Sequence, residues 1–120
     1  MTRINAGYPP EKLTNAHLIA EHREIKRVPN CIAKGRYSLA GVPEKFTLGP
    51  GHVKFFYPRC GYLLARYKAL HAECLRRGFA VQDYSGAWSG VPEKLMGGYT
   101  ETDEARQLIT ARISERLSPR

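Results

Sequence analysis

Four ionisable residues between Thr14 and Val28 recur with a helical period. His17, Glu21, Glu24 and Arg27 stand at i, i+4, i+7 and i+10, which on a helix is one continuous stripe. Leu18 and Ile25 recur seven apart and Ile32 extends them, so the same segment carries an apolar seam, while Leu13, Ala16 and Ala20 lie close to the ionisable line. Glu24 therefore falls near the edge of packed structure. Arg23 beside it and Arg27 one turn on can hold its carboxylate ionised; desolvation can instead raise it toward an acid/base role. A solvated, salt-bridged helix face would carry the same pattern.

Other residue types offer less. His17 and Glu21 have the i, i+4 spacing of two metal ligands, but no third or fourth ligand is near in sequence, and no metal is expected. Cys31, Cys60 and Cys74 form no CxxC pair and are odd in number, the pattern of reduced thiols, with Cys74 on a helix core face. The segment from Phe46 to Tyr57, FTLGPGHVKFFY, joins an apolar cluster to a Gly-Pro-Gly turn. Gly49 and Gly51 would let backbone amides approach a phosphate, but a plain tight turn is the better account of a lone Gly-rich turn, and Phe55, Phe56 and Tyr57 read as core.

Charge narrows the partner. Nineteen Lys and Arg stand against eleven Asp and Glu, a formal net charge of +8 over 120 residues. Basic residues occur throughout, among them Lys26, Lys34, Arg36, Lys54, Arg59, Arg66, Lys68, Arg76, Arg77 and Arg116. That footprint favours nucleic acid over an anionic membrane or an acidic protein, and part of it serves solubility. With no apolar run near membrane-spanning length and a polar N-terminus, an intracellular, soluble protein of one domain over residues 1–120 is expected.

The elements that must position these residues are helical. Gly7 and Pro9-Pro10 make residues 2–10 an extended lead-in; a first helix runs from about Glu11 or Thr14 to the region of Val28, where Pro29-Asn30 interrupts it, with a kinked continuation through Cys31 to Lys34. Residues 35–52 are loop. From about Arg59 to Arg77, Leu63, Tyr67, Leu70 and Cys74 form a clear apolar stripe, with Leu64, His71 and Leu75 beside it. Arg76 and Arg77 suit the negative end of that helix and Gly78 its left-handed cap, so both arginines have a structural role. After an irregular 80–99, a third helix starts near Thr100 or Thr102 and packs through Ile109, Ile113 and Leu117. The expected fold is all-α, a single compact domain of three main helices joined by long irregular loops.

At this level of detail several blocks are distinctive: MTRIN at the start, the HLIAEHREIKRV helix, LGPGHVKFFY, AECLRRGF and the late ITARISE. Together, and in order from Met1 to about Leu117, they resemble the phage-type pyrimidine dimer DNA glycosylases, also called dimer-excising endonuclease V. The resemblance implies a bifunctional DNA glycosylase and abasic-site lyase. In that family the initiating methionine is removed, the exposed α-amine attacks the anomeric carbon of the damaged nucleotide to form a Schiff base, and the strand breaks by β-elimination. Carried over, the nucleophile is the amine of Thr2 and the catalytic carboxylate is Glu24. Arg3, His17, Arg23, Arg27 and Arg112 fall on positions that serve the active site or hold DNA phosphates. The implied partner is lesion-containing double-stranded DNA, bent and with a base turned out, met by a monomer without cofactor in the cytoplasm, associated with the nucleoid of a bacterial or phage-infected cell.

The chemistry of the amine agrees. With an ordinary pKa near 7.7–8.0, roughly a quarter of an α-amine is free base near pH 7.4, against about one part in a thousand of a lysine. Surrounding arginines lower it further. The chain also departs from the family pattern. Its last residues, Leu117 to Arg120, carry no aromatic-rich tail of the kind that aids dimer recognition, residues 28–52 are shorter and less basic, and the lead-in before His17 has one extra residue. These departures keep two other readings open: the same Schiff-base chemistry on a different damaged base or abasic site, and a non-catalytic DNA-binding module.

Overall fold

A computed structural model describes residues 2–117, the side chains of Pro50, Arg116 and Leu117 excepted. Removal of Met1 and the apolar contribution of Leu117 lie outside what it describes. Among the described residues five α-helices form: α1 (Asn15–Glu24), α2 (Arg27–Ala33), α3 (His52–Phe56), α4 (Cys60–Arg76) and α5 (Asp103–Leu117), with short 3-10 turns at Pro10–Lys12, Gly49–Gly51, Ser85–Gly90 and Glu93–Leu95. Among the described residues there is no strand; one isolated antiparallel bridge joins Arg59 and Met96. The fold is all-α, as expected, with two more helices than the apolar periodicity indicates.

Helix α1 starts where its cap dictates: Thr14 is extended and its hydroxyl accepts from the amide of His17 at 3.2 Å. It ends earlier than expected. The interruption assigned to Pro29-Asn30 falls at Ile25-Lys26, because a proline acts on the carbonyl four residues upstream, here that of Ile25, which instead takes a long 3.4 Å bond from Val28. Pro29 itself sits comfortably in the first turn of α2. Helix α3, only five residues long, closes the FTLGPGHVKFFY segment. Phe55 and Phe56 are buried from it, so the aromatic cluster is core.

Helix α4 is the central element. Leu63, Tyr67, Leu70 and Cys74 are buried along it, whereas Leu75 is exposed. Gly78, at φ +83°, closes it as read from the sequence, with the Phe79 amide bonded to the Cys74 carbonyl. At the other end the chain near Met96-Gly97 lies against its first turn. Gly97 donates to the Pro58 carbonyl and accepts from the Tyr62 amide, and a Cβ on Gly61 would stand 2.5 Å from the Met96 carbonyl oxygen. Thr102 caps α5 through the Ala105 amide, and Ile109 and Ile113 are buried from it.

The core joins Leu18 and Ile25 of α1, Val28 and Ile32 of α2, the α3 phenylalanines, the α4 stripe, α5 and Trp88. The lead-in belongs to it. Ile4 and Ala6 are fully buried and Asn5 nearly so, a pinned segment where a chain terminus is ordinarily loose. No helix among the described residues is long and apolar enough to cross a membrane.

Candidate active site

The first three members of the α1 stripe face one cleft. Its wall, enclosing about 290 Å³, is built from Arg3 and Asn5 of the lead-in, His17, Ala20, Glu21 and Glu24 of α1, and Arg112 and Ile113 of α5. Three chain regions far apart in sequence thus converge on one face of α1. Arg27, the fourth member of the stripe, is carried onto α2 by the break at Ile25-Lys26. It is exposed, as is Arg23, and both stand outside the wall. Thr2 is half-buried and precedes Arg3 in the chain, but it is not itself part of the wall.

The two carboxylates of the cleft differ in their partners. Glu21 accepts from Arg66 Nε at 2.6 Å and Arg66 Nη2 at 3.0 Å, a bidentate pair with the side chains 1% and 6% exposed. Its oxygens also accept from the Asn5 side-chain amide at 2.8 Å and the Asn5 backbone at 3.2 Å. Four donors satisfy it. Among the described residues Glu24 has a single ion pair, Arg23 Nη2 at 3.5 Å, and it keeps 15% of its side chain exposed. One carboxylate is a structural anchor and the other is left facing the cleft.

Cations and a histidine complete the wall. Arg112 Nη2 donates to Asn5 Oδ1 at 2.6 Å, which ties α5 to the lead-in and leaves the rest of its guanidinium directed at the cleft. Burial lowers the Arg112 pKa from its usual value, with Glu21 opposing, but a guanidinium so far above neutrality remains charged. His17 Nδ1 is buried with no hydrogen-bond partner among the described residues. A buried ring nitrogen in a cleft wall is a group that a ligand can satisfy. Among the described residues no group of three His, Cys, Asp or Glu is arranged to hold a metal ion.

Several cations counted toward a nucleic-acid footprint are engaged by partners within the protein. Arg66 is consumed by Glu21 and by the Tyr8 carbonyl at 2.8 Å. Arg59 lies over the Phe55 ring, and Arg76 and Arg77 both bind Glu73, with Arg77 also reaching the carbonyls of Pro10, Glu11 and Leu13. The structural role read for Arg76 and Arg77 holds, with Glu73 held down to about 2 between them. Asn5, Arg66 and His52, which fix the lead-in, were not singled out from sequence. Arg66 did leave a signal, a cation at i+3 from Leu63 and i−4 from Leu70 on the buried face of α4; Asn5 left none.

A family model described as pyrimidine dimer DNA glycosylase matches residues 1–84. The match contains the lead-in and the whole of α1, hence every cleft residue except Arg112 and Ile113, which α5 supplies from beyond it. With a match over more than half of its length, the chain belongs to the pyrimidine dimer DNA glycosylase family, enzymes that act on DNA.

Proposed function

We propose that the protein removes ultraviolet-induced cyclobutane pyrimidine dimers from double-stranded DNA and then cleaves the strand, using the α-amine of Thr2 exposed by removal of Met1. The observation that carries this reading is the convergence of the lead-in and Glu24 on one cleft: Arg3, the residue next to Thr2, and the 15%-exposed carboxylate of Glu24 share its wall.

The neutral amine adds to C1′ of the damaged nucleotide as the C1′–N bond to the base breaks, and the base leaves with a proton. Opening of the sugar ring, with O4′ taking a proton, gives an iminium between the Thr2 nitrogen and C1′. Loss of a C2′ proton then expels the 3′ phosphate and breaks the strand. Glu24 has two duties in this scheme. Its negative charge stabilises the positive charge on the sugar and iminium, and its oxygens carry protons during ring opening and elimination. No step needs a metal or organic cofactor, so activity persists in chelator.

Arg3, Arg23, Arg27 and Arg112 hold backbone phosphates of a bent duplex, and His17 offers its free ring nitrogen to the substrate. Phosphate contacts supply affinity with little sequence preference and a steep salt dependence. Damage makes bending and base extrusion cheaper, which favours the lesion over intact DNA. The protein acts as a monomer in this scheme.

The test is borohydride trapping on duplexes carrying a cyclobutane thymine dimer or an abasic site, with the N-terminus verified by mass spectrometry. Covalent capture of both duplexes is the expected result. Capture of the abasic duplex alone keeps the lyase and rejects the dimer; capture of neither, from protein that begins at Thr2, rejects the amine mechanism.

A further inference from the structure

The lead-in is held at Ile4 by a histidine that no step above uses. His52, the first residue of α3, accepts the Ile4 backbone N–H on Nε2 at 2.8 Å, and its Nδ1 stands 2.9 Å from the carbonyl oxygen of Thr47. These partners fix the tautomer. A carbonyl can only accept, so Nδ1 carries the proton; an amide N–H can only donate, so Nε2 is bare. The ring is buried and packed edge-on against Phe46 and Phe56. Both nitrogens are occupied, so it has no capacity left for a substrate.

We propose that His52 is the positioning residue for the Thr2 amine: its neutral imidazole clamps the Ile4 amide and so sets where the nucleophile stands over the sugar. The proposal rests on the amine reading given above. From the Ile4 nitrogen back to the Thr2 nitrogen is two residues, a reach of at most about 7 Å. A second pin lies one residue further in, where Glu21 takes the Asn5 amide and side chain. Two successive anchored amides turn a terminal segment into a rigid arm. For a nucleophile, a displacement near 1 Å costs about 10²-fold in rate.

The clamp is also a pH gate. A proton on Nε2 would point at the Ile4 N–H across 2.8 Å and convert the bond into a repulsion. The groups facing His52 are the Thr47 carbonyl from the preceding loop, Glu21 from α1 and Arg112 from α5, besides the Ile4 amide itself and the Phe46 and Phe56 rings. Burial is the largest influence and favours the neutral ring; the Thr47 carbonyl opposes it, Arg112 adds to it, and Glu21 opposes weakly. The ring therefore stays neutral below the ordinary histidine range, and the arm stays clamped wherever the amine itself is free to react.

His52→Phe keeps the ring and its packing but removes the acceptor; His52→Gln restores an acceptor near the Nε2 position. Single-turnover borohydride trapping on an abasic duplex, with protein verified to begin at Thr2, is expected to slow about 10²-fold in His52→Phe at unchanged DNA affinity, and to recover to within about 10-fold of wild type in His52→Gln. The ratio of wild-type to His52→Gln rate is flat through the ordinary histidine range and falls at lower pH, because only wild type loses its clamp to a proton. Equal trapping by wild type and His52→Phe overturns the clamp while leaving the amine mechanism standing. No trapping by wild type overturns the amine mechanism, and with it this proposal. Should His52→Phe fail to fold, the pH ratio of the other two proteins decides: a ratio that stays flat down to the acid limit of folding overturns the gate. Hydrogen exchange at the Ile4 amide reads the clamp without catalysis, with strong protection at pH 7 expected and exchange at the rate of an open terminus overturning it.

Discussion

Glu21 and Glu24 stand three residues apart on the same face of α1, and their surroundings divide the labour of the cleft between them. Glu21 is buried, takes four donors and ties the lead-in to α4 through Arg66. Glu24 keeps part of its surface and, among the described residues, a single loose ion-pair partner. A carboxylate with every lone pair occupied cannot exchange protons with a substrate without first breaking structure. One with free lone pairs at the rim of a cleft can. The difference lies in what reaches each side chain from elsewhere in the fold, not in the helix that carries both.

That division makes opposite demands on two isosteric substitutions. Glu24→Gln removes the charge and the basicity but no structural bond of consequence, so strand cleavage and borohydride trapping fall by about 10²–10⁴-fold while DNA affinity and melting temperature stay close to wild type. Cleavage at the wild-type rate would falsify the role given to Glu24. Glu21→Gln strands the Arg66 guanidinium in the interior without a countercharge, and urea unfolding should register a loss of about 3–5 kcal/mol. An unfolding midpoint equal to wild type would mean that the Arg66 pair is not the anchor described here.

The same helix carries a histidine on its opposite face, and the contrast extends to pH. His22 is buried against α4, where its Nε2 lies 3.1 Å from the Tyr67 hydroxyl and 3.0 Å from His71 Nδ1, and the Tyr67 oxygen in turn accepts the Tyr84 amide. The two facing ring nitrogens can hold one proton between them. Burial, helped by the charges of His71 and Lys26 and opposed by Asp83, pushes His22 down from 6.5 to about 4. The unfolded chain therefore takes up a proton between those values that the folded one refuses. The contribution of His22 to stability is complete above pH 6.5 and drains away as pH falls toward 4. Melting temperature measured across that window should fall with acid in wild type and fall less steeply in His22→Phe, and parallel curves would assign the acid sensitivity elsewhere.

How much of this was legible in the sequence follows the range of the interactions. Local chemistry read well: the Thr102 cap, the α4 stripe, Gly78 after it, and the His17, Glu21, Glu24 line that became the cleft wall. Helix α3 was missed because five residues carry less than two turns of periodicity, and the end of α1 was misplaced because the proline effect was assigned to the proline and not to the carbonyl four residues before it. The rest is long-range. Glu21 and Arg66 are 45 residues apart, Ile4 and His52 are 48 apart, and Asn5 and Arg112 are 107 apart. No spacing rule connects them, so the stripe alone favoured a solvated face over a functional one. Catalytic roles for Thr2 and Glu24 came from the family resemblance, which the match over residues 1–84 now supports at the level of family.

The weakest link in the cleft gives the smallest and most specific expectation. Arg23 is 56% exposed and 3.5 Å from Glu24, a separation and exposure at which an ion pair contributes little to stability. Arg23→Ala should therefore leave the unfolding free energy within about 0.5 kcal/mol of wild type. Its proposed work is done on phosphate, and one fewer phosphate contact lowers the slope of log K against log salt by about one. Affinity for undamaged and damaged duplex should drop together, since a backbone contact reads neither. If Arg23 instead serves chiefly to hold Glu24 ionised, the salt slope stays put and trapping rate changes at saturating DNA. Measuring slope and rate on the one variant thus decides whether the only ion pair of Glu24 among the described residues belongs to the duplex or to the carboxylate.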